Sequence, residues 1–540
     1  MTIAKVRNLS KFGVLADVDP YNLPPEAFSM AVNARFLNGS VWRAPVFRRV
    51  PLTLAEEDPR FLTSNLPTTG FDDIYIGYLN GKISLYDSST ETDVSVFGYV
   101  AAEAEAPYTS CHNGDVLYIN RSDRVPWSLK VTDTDFQNLA NWDSTWRAHI
   151  LRSSNSALCA FGITKGADTF PSMIKTSEFA EVNTVPTTWD ETDPTNNATE
   201  NILGEMEGGI TEAQNLGDGI IVYGLNETWT MIFDGSDNVW AYEKVFNDAG
   251  CLNANCAIEL DRQHYVFGPN DIWKHDGVSK TSICDLRVRK FIFSSLNLSE
   301  ARRCFVKHDP IRKELRFNYV SGDQFCAFLG GDGCNRSAVF NLTEQTWTFD
   351  DLPFVFGATF ANLDINLTYA TVTETYEEIG STYLEQEDGI KRPLVMIGDV
   401  STEHSLLISL YAVDEQGPGS LVPYEVDTDA TRDVLLIKEG IDLDELPDVA
   451  DLRGYKVISS IYPQARFETD AEPLNFSFGS ADHFNVPVVM GAPQTYDGIT
   501  EYQCDHNEAG RYLRMEITHE DHRWFQLSGI DLDIHVDGAA

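Results

Sequence analysis

Near the C-terminus, His519, Glu520, Asp521 and His522 follow one another, and all four are residue types that ligate metals. Consecutive side chains on a strand point to opposite faces, so only a turn could gather them around one ion. The other reading is a solvated hairpin tip between the alternating runs of 511–536. The loop Asp234-Gly235-Ser236-Asp237-Asn238 offers oxygen ligands but lacks the spacing and the closing Glu of a calcium loop. Asp427, Asp429 and Asp433, and the run Asp442, Asp444, Glu445, Asp448, read as solvated turns. No nucleophile elbow, Walker loop, dinucleotide fingerprint or HExxH occurs. Whether any of the 82 acidic residues form a glycosidase pair is a three-dimensional matter. Trp229 and Trp347 stand in Asn-led turns without the Ser, Asp and Gly of the Asp-box repeat. The expectation is therefore no catalytic, cofactor-binding or metal site, and a protein that is not an enzyme. The alternative kept beside it is a glycan-binding or glycan-cleaving β-propeller.

The elements that would position any site are strands. Residues 74–87 (IYIGYLNGKISLYD) read as a hairpin turning at Asn80-Gly81. Similar short runs follow at 115–120, 157–163, 219–233, 264–277, 314–323 and 338–351, bounded by Gly, Asn or Asp. Strand packets at roughly 40–60 residues fit the blades of a propeller. Thr-Trp-Thr recurs around Trp229 and Trp347, which would then pack between blades; a two-sheet sandwich is the competing architecture. Residues 296–308 form a weak helix candidate. The stretch 164–215 is polar, acidic and too long for an ordinary connection, which suggests a contact loop.

Composition narrows the function classes. Acidic residues number 82 against 40 basic ones, for a formal net charge of -42, so the surface should repel nucleic-acid phosphates and anionic membranes. Nine scattered cysteines, an odd number without CxxC, read as buried free thiols made in a reducing cytoplasm. The first residues lack the apolar run of a secretory signal, and no apolar stretch is long enough to span a membrane, so no membrane insertion is expected.

Residues 13–50 resemble the opening of tail nozzle (tail hub, tail tubular) proteins of short-tailed bacteriophages. The carriers are Gly13, Asp17, Leu23-Pro24-Pro25, Asn33, Arg35, Phe36, Asn38-Gly39, Arg43 and Pro45. Further pieces are similar in collinear order. They are 171–201 with Trp189-Asp190 and Thr192-Asp193-Pro194, then 219–224 with Thr228-Trp229, 266–283, and 510–531. The resemblance implies a structural virion protein, a six-fold homo-oligomeric ring at the tail's distal end. Its partners would be a portal-bound adaptor and fibres or spikes, with DNA passing through without specific binding and no cofactor. Localisation would be the virion tail after synthesis in the host cytoplasm.

The fold expected is all-β, a six-bladed β-propeller with additional antiparallel β domains. Residues 1–50 would form an N-terminal arm and 51–360 the propeller body with the acidic loop 164–215. Residues 361–470 would be an inserted or appended β-rich domain and 471–540 the C-terminal antiparallel strands. Trp189, Asp190 and Asp193 on the projecting loop, and the pairs Arg48-Arg49 and Arg302-Arg303, are expected partner contacts. An apolar anchor amid acids suits an interface, and short basic pairs suit acidic neighbours.

Overall fold

The structure is a computed structural model. It describes residues 2–50, 54, 58–65, 73–87, 90–101, 106–235, 239–361, 393–402, 405–414, 425–441, 455–483 and 486–537. Among them helix is confined to Arg289–Ser295 and two short 3-10 turns, so the chain is all-β, as its β-branched and aromatic runs require. Asp73–Tyr78 and Ile83–Asp87 pair as the expected hairpin. Gly81 at the turn takes φ 93°, a left-handed conformation that glycine adopts without a Cβ penalty.

Seven antiparallel four-stranded units succeed one another among the described residues. Six occupy 59–93, 108–138, 146–202, 212–246, 257–282 and 305–355, each with its strands in sequence order. The seventh combines Gly357–Phe360, Leu394–Thr402 and Ser405–Asp414 with Val46–Arg49 from the N-terminus as its outer strand. The first strand of each unit packs against the first strand of the next, and Gly357–Phe360 packs back on Pro59–Asn65, closing the cycle. There a Cβ on Gly357 would lie 2.8 Å from the backbone nitrogen of Leu62, so only glycine permits this approach.

Apolar faces between neighbouring units form the core. Trp229 packs with Ile150, Phe161 and Ile174, joining the third and fourth units. Trp347 is fully buried against Phe317 and Phe340, and its indole N–H donates to the Ile283 carbonyl at 3.0 Å. Both tryptophans pack between units as expected. They are not register equivalents, however, because Trp229 lies in the third strand of its unit and Trp347 in the fourth.

A second β region is built on two sheets. In one, Tyr512–His519 pairs with Val434–Ile441 and Leu474–Ala481. In the other, Phe525–Asp537 pairs with Tyr455–Phe467 and Thr2–Arg7, and at its edge with Ser40–Arg43. Alternation turns Leu513, Met515 and Ile517 of the first sheet inward, into the same core as Ile530, Leu532 and Ile534 of the second. Met30–Val32 lies between Trp347–Val355 and Val434–Ile441, fusing this region to the sixth unit of the cycle.

Several expected boundaries shift. Residues 1–50 are not a separate arm; they supply strands to both sheets of the second region, to its junction and to the seventh unit. The zone 361–470 divides between the cycle (394–414) and the second region (434–441 and 455–467), so the ring body does not end at 360. The loop 164–215 contains the strands Asp168–Thr176 and Thr199–Ile202, leaving 177–198 irregular. Residues 511–536 are not a hairpin. Their two strands belong to different sheets, and 520–524 cross between them. The helix candidate at 296–308 resolves into the 3-10 turn Leu298–Arg303 and the strand Phe305–Asp309, with the α-helix lying just before it.

Candidate functional site

The residues that carry the nozzle resemblance sit at joints. Gly13 has φ +66°, and a Cβ there would come within 2.8 Å of the Thr346 side chain. The Asp17 carboxylate accepts the backbone N–H groups of Lys290 and Phe291 at 2.7 and 2.9 Å, serving donors that the first turn of Arg289–Ser295 leaves open. Asn33, at φ 55°, donates to Asp351 and to the Asp433 carbonyl, and its own oxygen accepts the Asp351 N–H. Arg35 donates to Glu314 at 2.6 Å and to both oxygens of Asp350 at 2.7 and 2.6 Å. Arg316, on the same strand as Glu314, joins the same two carboxylates, and all four groups are buried. Burial opposes the charge on Arg35, but the two carboxylates outweigh it and hold the guanidinium firmly protonated. Arg43 donates to the Arg432 carbonyl, and Asn38-Gly39 makes the turn between Ala34–Leu37 and Ser40–Arg43.

On the axis of the seven-unit cycle lies a cavity of about 270 Å³. Every first strand contributes to its wall: Thr63, Tyr108, Arg152, Gln214, Ile258, Lys307 and Ala358 represent the seven in order. Five of the lining residues are basic (Arg60, Arg152, Arg302, Arg303 and Lys307), and none of the described lining residues is Asp or Glu. Arg152 is structural: it donates to Glu212 at 2.7 Å and to the Ala213 carbonyl at 2.8 Å. The other oxygen of Glu212 accepts the Asn255 N–H, whose side chain in turn donates to the Tyr108 carbonyl. Arg60 lies over the Phe356 ring at 5.2 Å, donates to its neighbour's carbonyl, and buries its Nε without a hydrogen-bond partner. Arg303 pairs with Glu300 at 3.1 Å and with Asp332, and Arg302 approaches the same Glu300 at 3.4 Å. Lys307 has no ion pair among the described residues. Burial pulls its ammonium down to about 8, with no carboxylate opposing the shift.

The remaining candidates fall elsewhere. Trp189 is only 2% exposed and meets Trp142 edge-on at 4.7 Å, in the core between the second and third units. It is therefore not a projecting anchor, because the stretch around it folds back on its own subunit. Asp190 and Asp193 are exposed and each caps a turn, accepting from Thr192 and Thr195. Arg48 is buried near Asp414, and Arg49 is half-buried in the same outer strand of the seventh unit, so both help to close the cycle. Arg302 and Arg303, expected as partner contacts, line the axial cavity. His519 points into the core, donating to the Glu472 carbonyl and packing on Phe525, and burial lowers it to about 4. No group of three or more His, Cys, Asp or Glu among the described residues is arranged to hold a metal. Asp427 caps its own turn. Part of the calcium-like loop (236–238) and the acidic run 442–448 lie outside the described residues. All nine cysteines are free, and eight are buried. No described helix is long and apolar enough to cross a membrane.

One further polar cluster is satisfied from end to end. The Gly277 N–H donates to His275 Nδ1, so Nε2 of that ring carries the proton and donates to the Tyr223 hydroxyl at 2.6 Å. Tyr223 donates to His264 Nδ1 at 2.6 Å, and His264 Nε2–H donates to the Asn215 carbonyl at 2.7 Å. This chain ties the fourth unit to the fifth. Compared with models of known protein families and with curated proteins, the sequence matches none.

Lys307 and Arg60 were missed because each is the one Lys or Arg on its strand, and Arg152 because it and Arg147 are spaced apart on theirs.

Proposed function

We propose that this chain is a structural virion protein, the nozzle of a short phage tail. In this reading the seven units are the blades of a β-propeller, seven rather than six, and the N-terminal strand 46–49 closes the ring. The observation that carries the proposal is the placement of Gly13, Asp17, Asn33, Arg35 and Arg43. The residues on which the family resemblance rests are those that lock the cycle to the second β region, as expected if they were kept for architecture. The intended assembly is a six-fold ring bound to a portal-associated adaptor above and to fibres or spikes below. A cavity of about 270 Å³ suits a small ligand, not a duplex whose major groove alone is about 12 Å wide. The DNA path therefore belongs between subunits, where a net charge of -42 per chain leaves few cations to hold phosphate. A catalytic glycan reading is weaker, because hydrolysis by paired carboxylates needs two acids in the pocket and the described cavity lining has none. The test is gene deletion in the phage with complementation by the purified chain. Particles lacking it should package DNA yet fail to infect until the chain is added back. Normal infectivity without the chain overturns the proposal.

A further inference from the structure

We propose that the axial cavity is a binding site for a small multivalent oxyanion, a phosphate ester or a polycarboxylate, held by Lys307 and Arg60 with Arg303 at its rim. The site does not depend on the nozzle reading.

Local charge sets this cavity apart from the rest of the chain. The chain as a whole is strongly acidic, yet the described residues around this cavity include five basic side chains and no acidic one. Nearby carboxylates do not cancel them. Glu212 is committed to Arg152 and the Asn255 N–H. Glu300 is shared by Arg302 and Arg303. Asp332 is 69% exposed, and Asp58, 60% exposed, lies 4.0 Å from Arg60. Lys307 is left without an ion pair among the described residues, and Arg60 keeps an unpartnered buried Nε. Enclosing such groups without partners is costly, and a bound anion would remove that cost.

Geometry points the same way. Arg60 leads the first unit and Lys307 lies in the first strand of the sixth, so the two approach the axis from different strands. Burial lowers Arg60; the exposed carboxylates of Asp58 and Asp332 oppose that shift, and the neighbouring Arg303 guanidinium adds to it, so the two guanidiniums repel each other across the site. An oxyanion between them would turn that repulsion into two charge-assisted contacts. The cavity lies near the lower end of the size range of small-molecule pockets, and Phe61, Tyr108 and Phe356 give it apolar walls. That combination suits a compact ligand with two or more negative charges.

The experiment is calorimetric titration of the full chain with sodium pyrophosphate and, separately, citrate, against chloride at equal ionic strength. One saturable site per chain with a Kd below about 1 mM is expected for at least one probe. Lys307→Met and Arg60→Gln should each weaken it about tenfold or more, whereas Lys307→Arg and the surface change Lys290→Met should not. If Lys307→Met fails to fold, Arg60→Gln and Lys307→Arg decide the question. No saturable binding, binding unchanged by Arg60→Gln, or displacement of the probe by a short DNA duplex would each overturn the assignment.

Discussion

Acidification should destabilise this protein through the histidines that meet at Tyr223. His264 and His275 are fully buried and neutral, each ring nitrogen being either a donor or an acceptor in one ordered chain. Burial lowers His264 to about 4, against its hydrogen bond to the Asn215 carbonyl and the charge of Glu259. His275 falls to about 3, through burial and then through its neighbour His264. Unfolded, both would titrate near 6.5. A native value below the unfolded one means that the stabilisation is fully present above about pH 6.5. It is lost as the pH falls towards 4, because the unfolded chain binds the protons first. Between pH 7 and pH 5 each ring costs about 2 kcal/mol, so the pair accounts for about 4 kcal/mol, a large share of an ordinary folding free energy. The assay is urea unfolding at closely spaced pH values, for the parent chain and for His264→Phe. The variant should be less stable at pH 7, since Tyr223 loses its acceptor. Its stability should also fall less steeply below pH 6.5, by about one proton fewer taken up on unfolding at pH 5. The other shifted histidines, His519 among them, act equally in both proteins. Parallel pH profiles would refute the argument.

Three further outcomes follow from the packing. Trp189→Ala should lower the unfolding free energy of the isolated chain by about 3–5 kcal/mol, read as a lowered melting temperature, because it empties the space beside Trp142. Arg35→Met should cost about 3–5 kcal/mol in urea unfolding by leaving Glu314 and Asp350 with Arg316 alone. Asp17→Ala should cost about 1 kcal/mol, since only two backbone donors at the start of Arg289–Ser295 lose their acceptor.

Local chemistry was legible in the sequence, and closure was not. Asn80-Gly81 specified its hairpin because the turn type is written in two adjacent residues. The packets of strands were visible for the same reason. The fourth strand of the seventh unit comes from Val46–Arg49, more than 300 residues before its neighbour Ser405–Asp414, and no local pattern announces such a pairing. The runs at 512–519 and 525–537 alternate alike, and alternation says which face is buried but not which strand is the partner. Trp189 looked like an exposed anchor because its sequence neighbours are acidic, whereas its neighbours in space are Trp142 and Val185. The axial cavity was hidden for a related reason: Arg60, Arg152 and Lys307 are far apart in sequence and join the Arg302-Arg303 pair only once the cycle closes.

The central claim, that this chain is a nozzle subunit, is tested most directly by electron cryo-microscopy of phage particles carrying an epitope-tagged copy, with antibody labelling of the tag. The expected result is a six-fold ring of copies at the distal end of the tail, each subunit showing a seven-bladed density joined to a two-sheet region, with the wide opening between subunits. Absence of the label from particles, or its position on the capsid or along a fibre, would contradict it.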